Sequence, residues 1–235
     1  MSPFLGEFAG TALLILIGQG VVANVVLNKT KGQHSGWIVI TFGWAMAVFL
    51  GVYTSNSLGG GGHLNPAATI ALAVFGDFDN SLVGTYIIAQ FAGAFTGSLA
   101  GWLAYKQHFD ETTDQVAKLA VFCTVPAIRQ PVYNFITEFI ATFILLFGAL
   151  NMSKSAATMG ALDALPVALL VLGIGLGLGG PTGFAINPAR DLAPRIVHFI
   201  LPIKGKGGSD WGYAWVPVVA PIAGGLLATF LFTGI

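Results

Sequence analysis

Asn65-Pro-Ala67 and Asn187-Pro-Ala-Arg-Asp191 each open an apolar run, the first ending near residue 76 and the second near residue 199. Asparagine is among the strongest helix N-caps. Proline suits the first helical position, because its missing N–H would have found no partner there. The two tripeptides therefore predict two helix starts, with Pro66-Ala67 and Pro188-Ala189 in the first turns. Runs of about 11 and 12 residues are too short to cross a hydrocarbon core of about 30 Å, which takes about 20 residues.

The surrounding chain supplies the membrane. Long apolar runs occupy about 4–26, 36–55, 81–105, 134–152, 163–180 and 212–233, which predicts six spans. Of 235 residues 55% are hydrophobic and only 9% charged, with a mean hydropathy of +0.79. A soluble domain carries about 25% charged residues, so the chain is predicted to be an integral membrane protein. Ten Lys+Arg balance ten Asp+Glu, which removes the basic footprint of a nucleic-acid binder. The single cysteine, Cys123, and the lack of a CxxC or Cys/His cluster leave no disulfide and no metal site to predict. The first apolar run follows no cationic segment and is too long for a signal peptide, so it reads as a retained span. The stretch 106–133, with Lys106, Asp110, Glu111, Asp114 and Arg129, reads as a large water-facing loop. Lys29, Lys31, Lys106, Lys118 and Arg129 share one side against little beyond Lys154 on the other, and that count alone puts the amino terminus outside.

The chain repeats itself. Phe4-Leu-Gly-Glu-Phe-Ala-Gly-Thr11 lines up with Phe135-Ile-Thr-Glu-Phe-Ile-Ala-Thr142, 131 positions later, and the same offset pairs Phe91-Ala-Gly93 with Ile222-Ala-Gly224. The predicted organisation is one channel-like domain: a first repeat of about 1–105, a connecting loop 106–133 and a second repeat of about 134–235. Three long spans per copy is an odd number, so the second copy enters from the opposite face as an inverted repeat. The two short helices then dip in from opposite sides and meet near the midplane. Irregular backbone at that depth is tolerated where it lines water or is buried in protein. Gly59 to Gly62 and Gly179-Gly180-Pro-Thr-Gly183 supply it, as a row of carbonyl acceptors leading to two asparagine donors. Neutral polar solutes can exchange water hydrogen bonds for these groups, whereas a cation meets two helix N-termini and no carboxylate.

With these features in place, the sequence closely resembles the major intrinsic proteins, the aquaporin and glycerol-facilitator family. The resemblance spans essentially the whole chain: Glu7, Glu138, His63-Leu-Asn-Pro-Ala67 and Gly183-Phe-Ala-Ile-Asn-Pro-Ala-Arg-Asp191. Asp191 directly after Arg190, Pro217-Val218 in the last span and Gly175 in the fifth resemble the glycerol-conducting branch. The resemblance implies an all-α fold of six spans and two re-entrant half-helices, a homotetramer in the cell membrane, and both termini cytoplasmic, against the charge count. It also implies a filter of Phe42, Gly175, Phe184 and Arg190, with Ile40 or Trp44 in place of Phe42 if the register slips; Ala68 has no such role opposite Arg190. Arg190 would donate to hydroxyls, the phenyl rings would face a carbon backbone and Gly175 would leave room for it.

Other residues receive structural expectations. Glu7 and Glu138 inside apolar helices read as acceptors for the re-entrant loops, with Gln90 assisting, rather than as a proton relay. His63 and Asp191 read as supports beside the loops. Gly93, Gly97 and Gly101 let helices approach closely, and Trp37, Trp102, Trp211 and Trp215 read as interfacial anchors. The function expected is passive conduction of glycerol and similar neutral solutes, with some water and no cofactor. Dihydroxyacetone, urea and undissociated lactic acid are further permeants. A water-selective pore is the alternative, a secondary transporter is more distant, and an enzyme is not expected.

Overall fold

The computed structural model describes residues 1–153 and 158–234, apart from the side chain of Ala161; Lys154, which entered the orientation count, lies outside the described residues. Ten α-helices run along them: α1 Pro3–Val26, α2 Trp37–Ser57, α3 Pro66–Phe75, α4 Val83–Ala104, α5 Lys106–Glu111, α6 Gln115–Phe122, α7 Pro131–Ser153, α8 Leu165–Leu178, α9 Pro188–Ile200 and α10 Val216–Thr233. Helices α1, α2, α4, α7 and α10 are long and apolar enough to cross a membrane. The fifth apolar run, read as 163–180, forms only the 14-residue α8. At 1.5 Å per residue that is about 21 Å, and the chain leaves the helix at Gly179 to enter the re-entrant segment.

Each half-helix is built as its sequence prescribes. Asn65 Oδ1 accepts the Ala67 N–H at 3.0 Å to start α3, and Asn187 Oδ1 accepts from Ala189 at 2.9 Å and Arg190 at 3.2 Å to start α9. The half-helices interlock the two halves of the chain: α3 packs against α10, and α9 packs against α4. The long helices pair as α1 with α4 and α7 with α10. Close approach there depends on glycine. A Cβ placed on Gly93 would fall 2.3 Å from the Phe8 carbonyl oxygen, and one on Gly224 would fall 2.3 Å from that of Phe139. The two contacts lie 131 positions apart in both helices of the pairing, so the sequence repeat recurs as a packing repeat. Gly97 is equally tight against Ala12, whereas Gly101 meets only the Gln19 side chain at an ordinary 3.4 Å.

The stretch 106–133 is not the solvated loop its charges suggested. It folds into α5 and α6, with Phe109, Leu119, Val121, Phe122 and Cys123 buried. Asp114 caps α6 through the N–H groups of Val116 and Ala117, at 2.8 and 3.1 Å. Lys118 is buried with its ammonium donating to the Lys204 carbonyl, and that burial pushes its pKa down, against the pull of Asp110. Lys106, Asp110, Glu111, Asp114 and Arg129 are at least partly exposed, on a folded cap whose α6 packs against α1 and α9 and whose Ala120, Cys123 and Thr124 line a cavity with α2.

Candidate functional site

The centre of the site is a pair of loops, each held by a carboxylate. Glu7 accepts the His63 N–H at 3.0 Å on Oε1 and the Leu64 N–H at 2.8 Å on Oε2. Ser55 Oγ and Gln90 Nε2 complete its shell at 3.0 and 2.8 Å. Glu138 accepts the N–H groups of Ala185 and Ile186, both at 2.9 Å. These N–H pairs lie 122 positions apart, the spacing of Asn65 and Asn187. Leu64 and Ile186 occupy left-handed backbone, φ 49° and 46°. Such geometry in an L-residue costs about 1–3 kcal/mol and persists only where the surroundings enforce it. Both carboxylates are fully buried, and every oxygen named here is directed at a loop or at its supports.

The two asparagines meet across the midline. Asn65 Nδ2 donates to the Ile186 carbonyl at 2.8 Å, and Asn187 Nδ2 donates to the Leu64 carbonyl at 2.7 Å. Each side chain therefore caps its own helix with its oxygen and spends one amide hydrogen on the opposite loop, which leaves the second hydrogen for the lumen. The same bonds engage the Leu64 and Ile186 carbonyls, one residue before each asparagine. His63 stands beside the first loop, with Nδ1 3.0 Å from Thr69 Oγ1 and its ring against Phe78 and Tyr86 at 4.7 and 4.9 Å.

An inner cavity of about 90 Å³ runs past both asparagines from Gly62 and His63 to Trp44, Phe184 and Arg190. An outer cavity of about 140 Å³ begins at the same three residues and extends to Trp37, Ile40 and Thr124. Trp44, Phe184 and Arg190 are thus the shared constriction. The Arg190 guanidinium lies 4.0 Å from the Trp44 ring centroid, and its Nη1 donates to the Phe122 carbonyl at 3.5 Å.

Phe42, expected at this constriction, is not there. It is 54% exposed on the outer surface and lines neither cavity, while Trp44 is 3% exposed and lines both. Two residues along a helix turn the side chain through about 200°, so Phe42 and Trp44 face opposite ways. Trp37, Ile40, Trp44, Val48 and Val52 follow one another at three- and four-residue steps down the lumen face of α2. Ile40 therefore shares the face but belongs to the outer cavity alone. Gly18 of α1 makes room for Trp44: a Cβ there would fall 2.3 Å from the indole. Gly175, implied to leave room in the passage, lines neither cavity itself. A Cβ on it would meet Thr41 at 2.9 Å and Phe184 at 3.2 Å, so its missing side chain seats the phenyl ring.

Asp191 turns away from the lumen. It accepts the Thr124 N–H and Oγ1 at 2.7 and 2.6 Å and pairs with Arg195 one turn along α9, Nε to Oδ1 at 2.9 Å. Arg195, absent from the sequence reading, also donates to the carbonyls of Ser209, Asp210 and Thr124. Its only sequence signal was the four-residue spacing from Asp191, which puts the two on one helix face.

Residues 1–232 match the family described as "Major intrinsic protein". The chain belongs to this family. A major intrinsic protein relative named "Probable glycerol uptake facilitator protein", from Thermotoga maritima, is 54% identical over 99% of this chain and 98% of its own length. The "D/L-lactic acid transporter" of Lactiplantibacillus plantarum is 41% identical over 98% and 96%. The aquaglyceroporin of Plasmodium falciparum superposes with a TM-score of 0.87 at 33% identity, covering 99% of this chain and 95% of that one. The chain shares with that structure an all-helical membrane fold, and it is a multi-pass membrane protein.

Proposed function

We propose that this protein is a passive channel for glycerol and other small neutral solutes, with water following the same path. The observation that carries the reading is the constriction. Trp44 and Phe184 give it an apolar side, Arg190 gives it a donor side, and the asparagine donors follow immediately within. A polyol presents hydroxyls along one edge and carbon along the other, so both edges find a partner there without full desolvation. Glu7 and Glu138 are engaged by loop N–H groups, which supports conduction without ion coupling over a transporter. The high identity to a relative named as a glycerol facilitator supports glycerol above water alone. The relative named as a lactic acid transporter favours undissociated lactic acid as a second permeant. The functional assembly is a homotetramer in the cell membrane with both termini cytoplasmic.

The test is stopped-flow light scattering on proteoliposomes, with glycerol and water gradients compared with empty vesicles. Glycerol permeability equal to that of empty vesicles, with water permeability raised, replaces this reading with a water-selective pore.

A further inference from the structure

Trp37 opens α2 at the membrane boundary, a place where tryptophan ordinarily reaches with its N–H toward lipid headgroups. Here that N–H is turned inward: Trp37 Nε1 donates to the Gly175 carbonyl at 2.9 Å. Gly175 lies in the last turn of α8, where carbonyls have no following helical N–H to accept from. The same indole stands edge-on to Phe184, centroids 5.8 Å apart at 86°. Phe184 needs such a brace. Its backbone φ is 41°, a strained value for a bulky residue, and its ring rests on the bare faces of Gly175 and Gly179, where added Cβ atoms would fall 3.2 and 2.5 Å from it. Glycine leaves the ring room but no side-chain wall to stop it turning. The indole supplies that wall, 2.9 Å from the same Gly179 position. Gly36, at φ 97°, sets the angle at which α2 begins and therefore where the indole points.

Building on the proposed function, we infer that Trp37 is a positioning residue for solute selectivity. It holds the Phe184 wall in place and keeps the Gly175 carbonyl out of the outer cavity. A solute with a carbon backbone depends on that wall, whereas water does not. Releasing the carbonyl would add an acceptor for water beside the constriction.

The test compares wild type, Trp37→Phe, Trp37→Leu and, as an anchoring control, Trp215→Phe. Trp215 stacks on Phe135 and is exposed at a span end. Each is reconstituted in liposomes and scored for glycerol and water permeability per inserted protein and for the largest linear polyol passed. Trp37→Phe is expected to lower the glycerol-to-water ratio about fivefold, the factor that one neutral hydrogen bond is worth, and to raise the polyol size limit. Trp37→Leu, lacking the ring edge as well, goes further, and it decides the matter if the phenylalanine variant fails to insert. A ratio and size limit equal to wild type in the Trp37 variants overturns the inference. So does a parallel fall in both permeabilities matched by Trp215→Phe, since that is the signature of anchoring. Wild-type protein that passes no glycerol removes the proposed function together with this inference, whereas unchanged Trp37 variants of a glycerol-conducting wild type remove only the latter.

Discussion

Replacing Glu138 by glutamine separates a structural carboxylate from a proton carrier. Both carboxylate oxygens accept loop N–H groups, from Ala185 and Ile186, at 2.9 Å each. Glutamine keeps one acceptor oxygen and turns an NH2 toward the other donor, so one buried N–H is stranded. An unmet buried donor costs about 1–3 kcal/mol, and the surviving bond loses its charge assistance, about another 1 kcal/mol. The strain at Ile186, φ 46°, is of the same order, about 1–3 kcal/mol, and the carboxylate is what holds it. The loop therefore relaxes, and the Ile186 carbonyl moves off the Asn65 amide. Expected results for Glu138→Gln are a fall of several degrees in the detergent melting temperature and at least a tenfold loss of glycerol permeability per inserted protein. Glu138→Asp, which keeps two acceptors, falls between. Glycerol permeability and melting temperature at wild-type levels in Glu138→Gln would refute the reasoning, and a variant altered only in proton leak would point to a relay.

Three further outcomes follow from the packing. Trp44→Ala widens the constriction and admits larger polyols, whereas Phe42→Ala, on the outer face, leaves the size limit unchanged; a shift with Phe42→Ala in a solute-swelling panel would restore the other register. Gly224→Val puts methyl groups where a Cβ alone would already sit 2.3 Å from the Phe139 oxygen, and overpacking of this kind costs at least about 1–3 kcal/mol, so membrane-inserted yield drops sharply by gel filtration. Asp191→Asn leaves Arg195 buried without its ion pair, a loss of about 3–5 kcal/mol read as thermal stability, while Asp191→Asn with Arg195→Met recovers part of it.

How much was legible in the sequence depended on whether a residue's role was local. Asn65 and Asn187 announce helix starts because capping involves only the residue and the N–H groups two or three positions on. The offsets of 131 and 122 were visible because repeated packing demands repeated glycines and carboxylates. Phe42 was expected at the constriction and Trp44, like Ile40, only as an alternative, since α2 is apolar on every face: membrane helices lack the polar side that would reveal rotation. The cap α5–α6 was missed because most of its charges remain exposed while Lys118 is buried, and burial of Phe109 and Phe122 has no period in so short a stretch. Trp37 read as an anchor because residence at a span end says nothing of where an indole N–H points.

Membrane crossing, the internal repeat and the two short capped helices that face one another could all be read from residue order alone. Those facts follow from hydropathy, span parity and backbone hydrogen bonding, which act over a few residues or over whole runs. Which aromatic residues meet Arg190, what packs against the bare Gly175, and how Arg195 and Thr124 fasten the cap to α9 emerge once distant segments are packed together. Helix rotation and loop docking are set by steric fit between segments far apart in the chain, where a missing Cβ in one helix is filled by a ring from another.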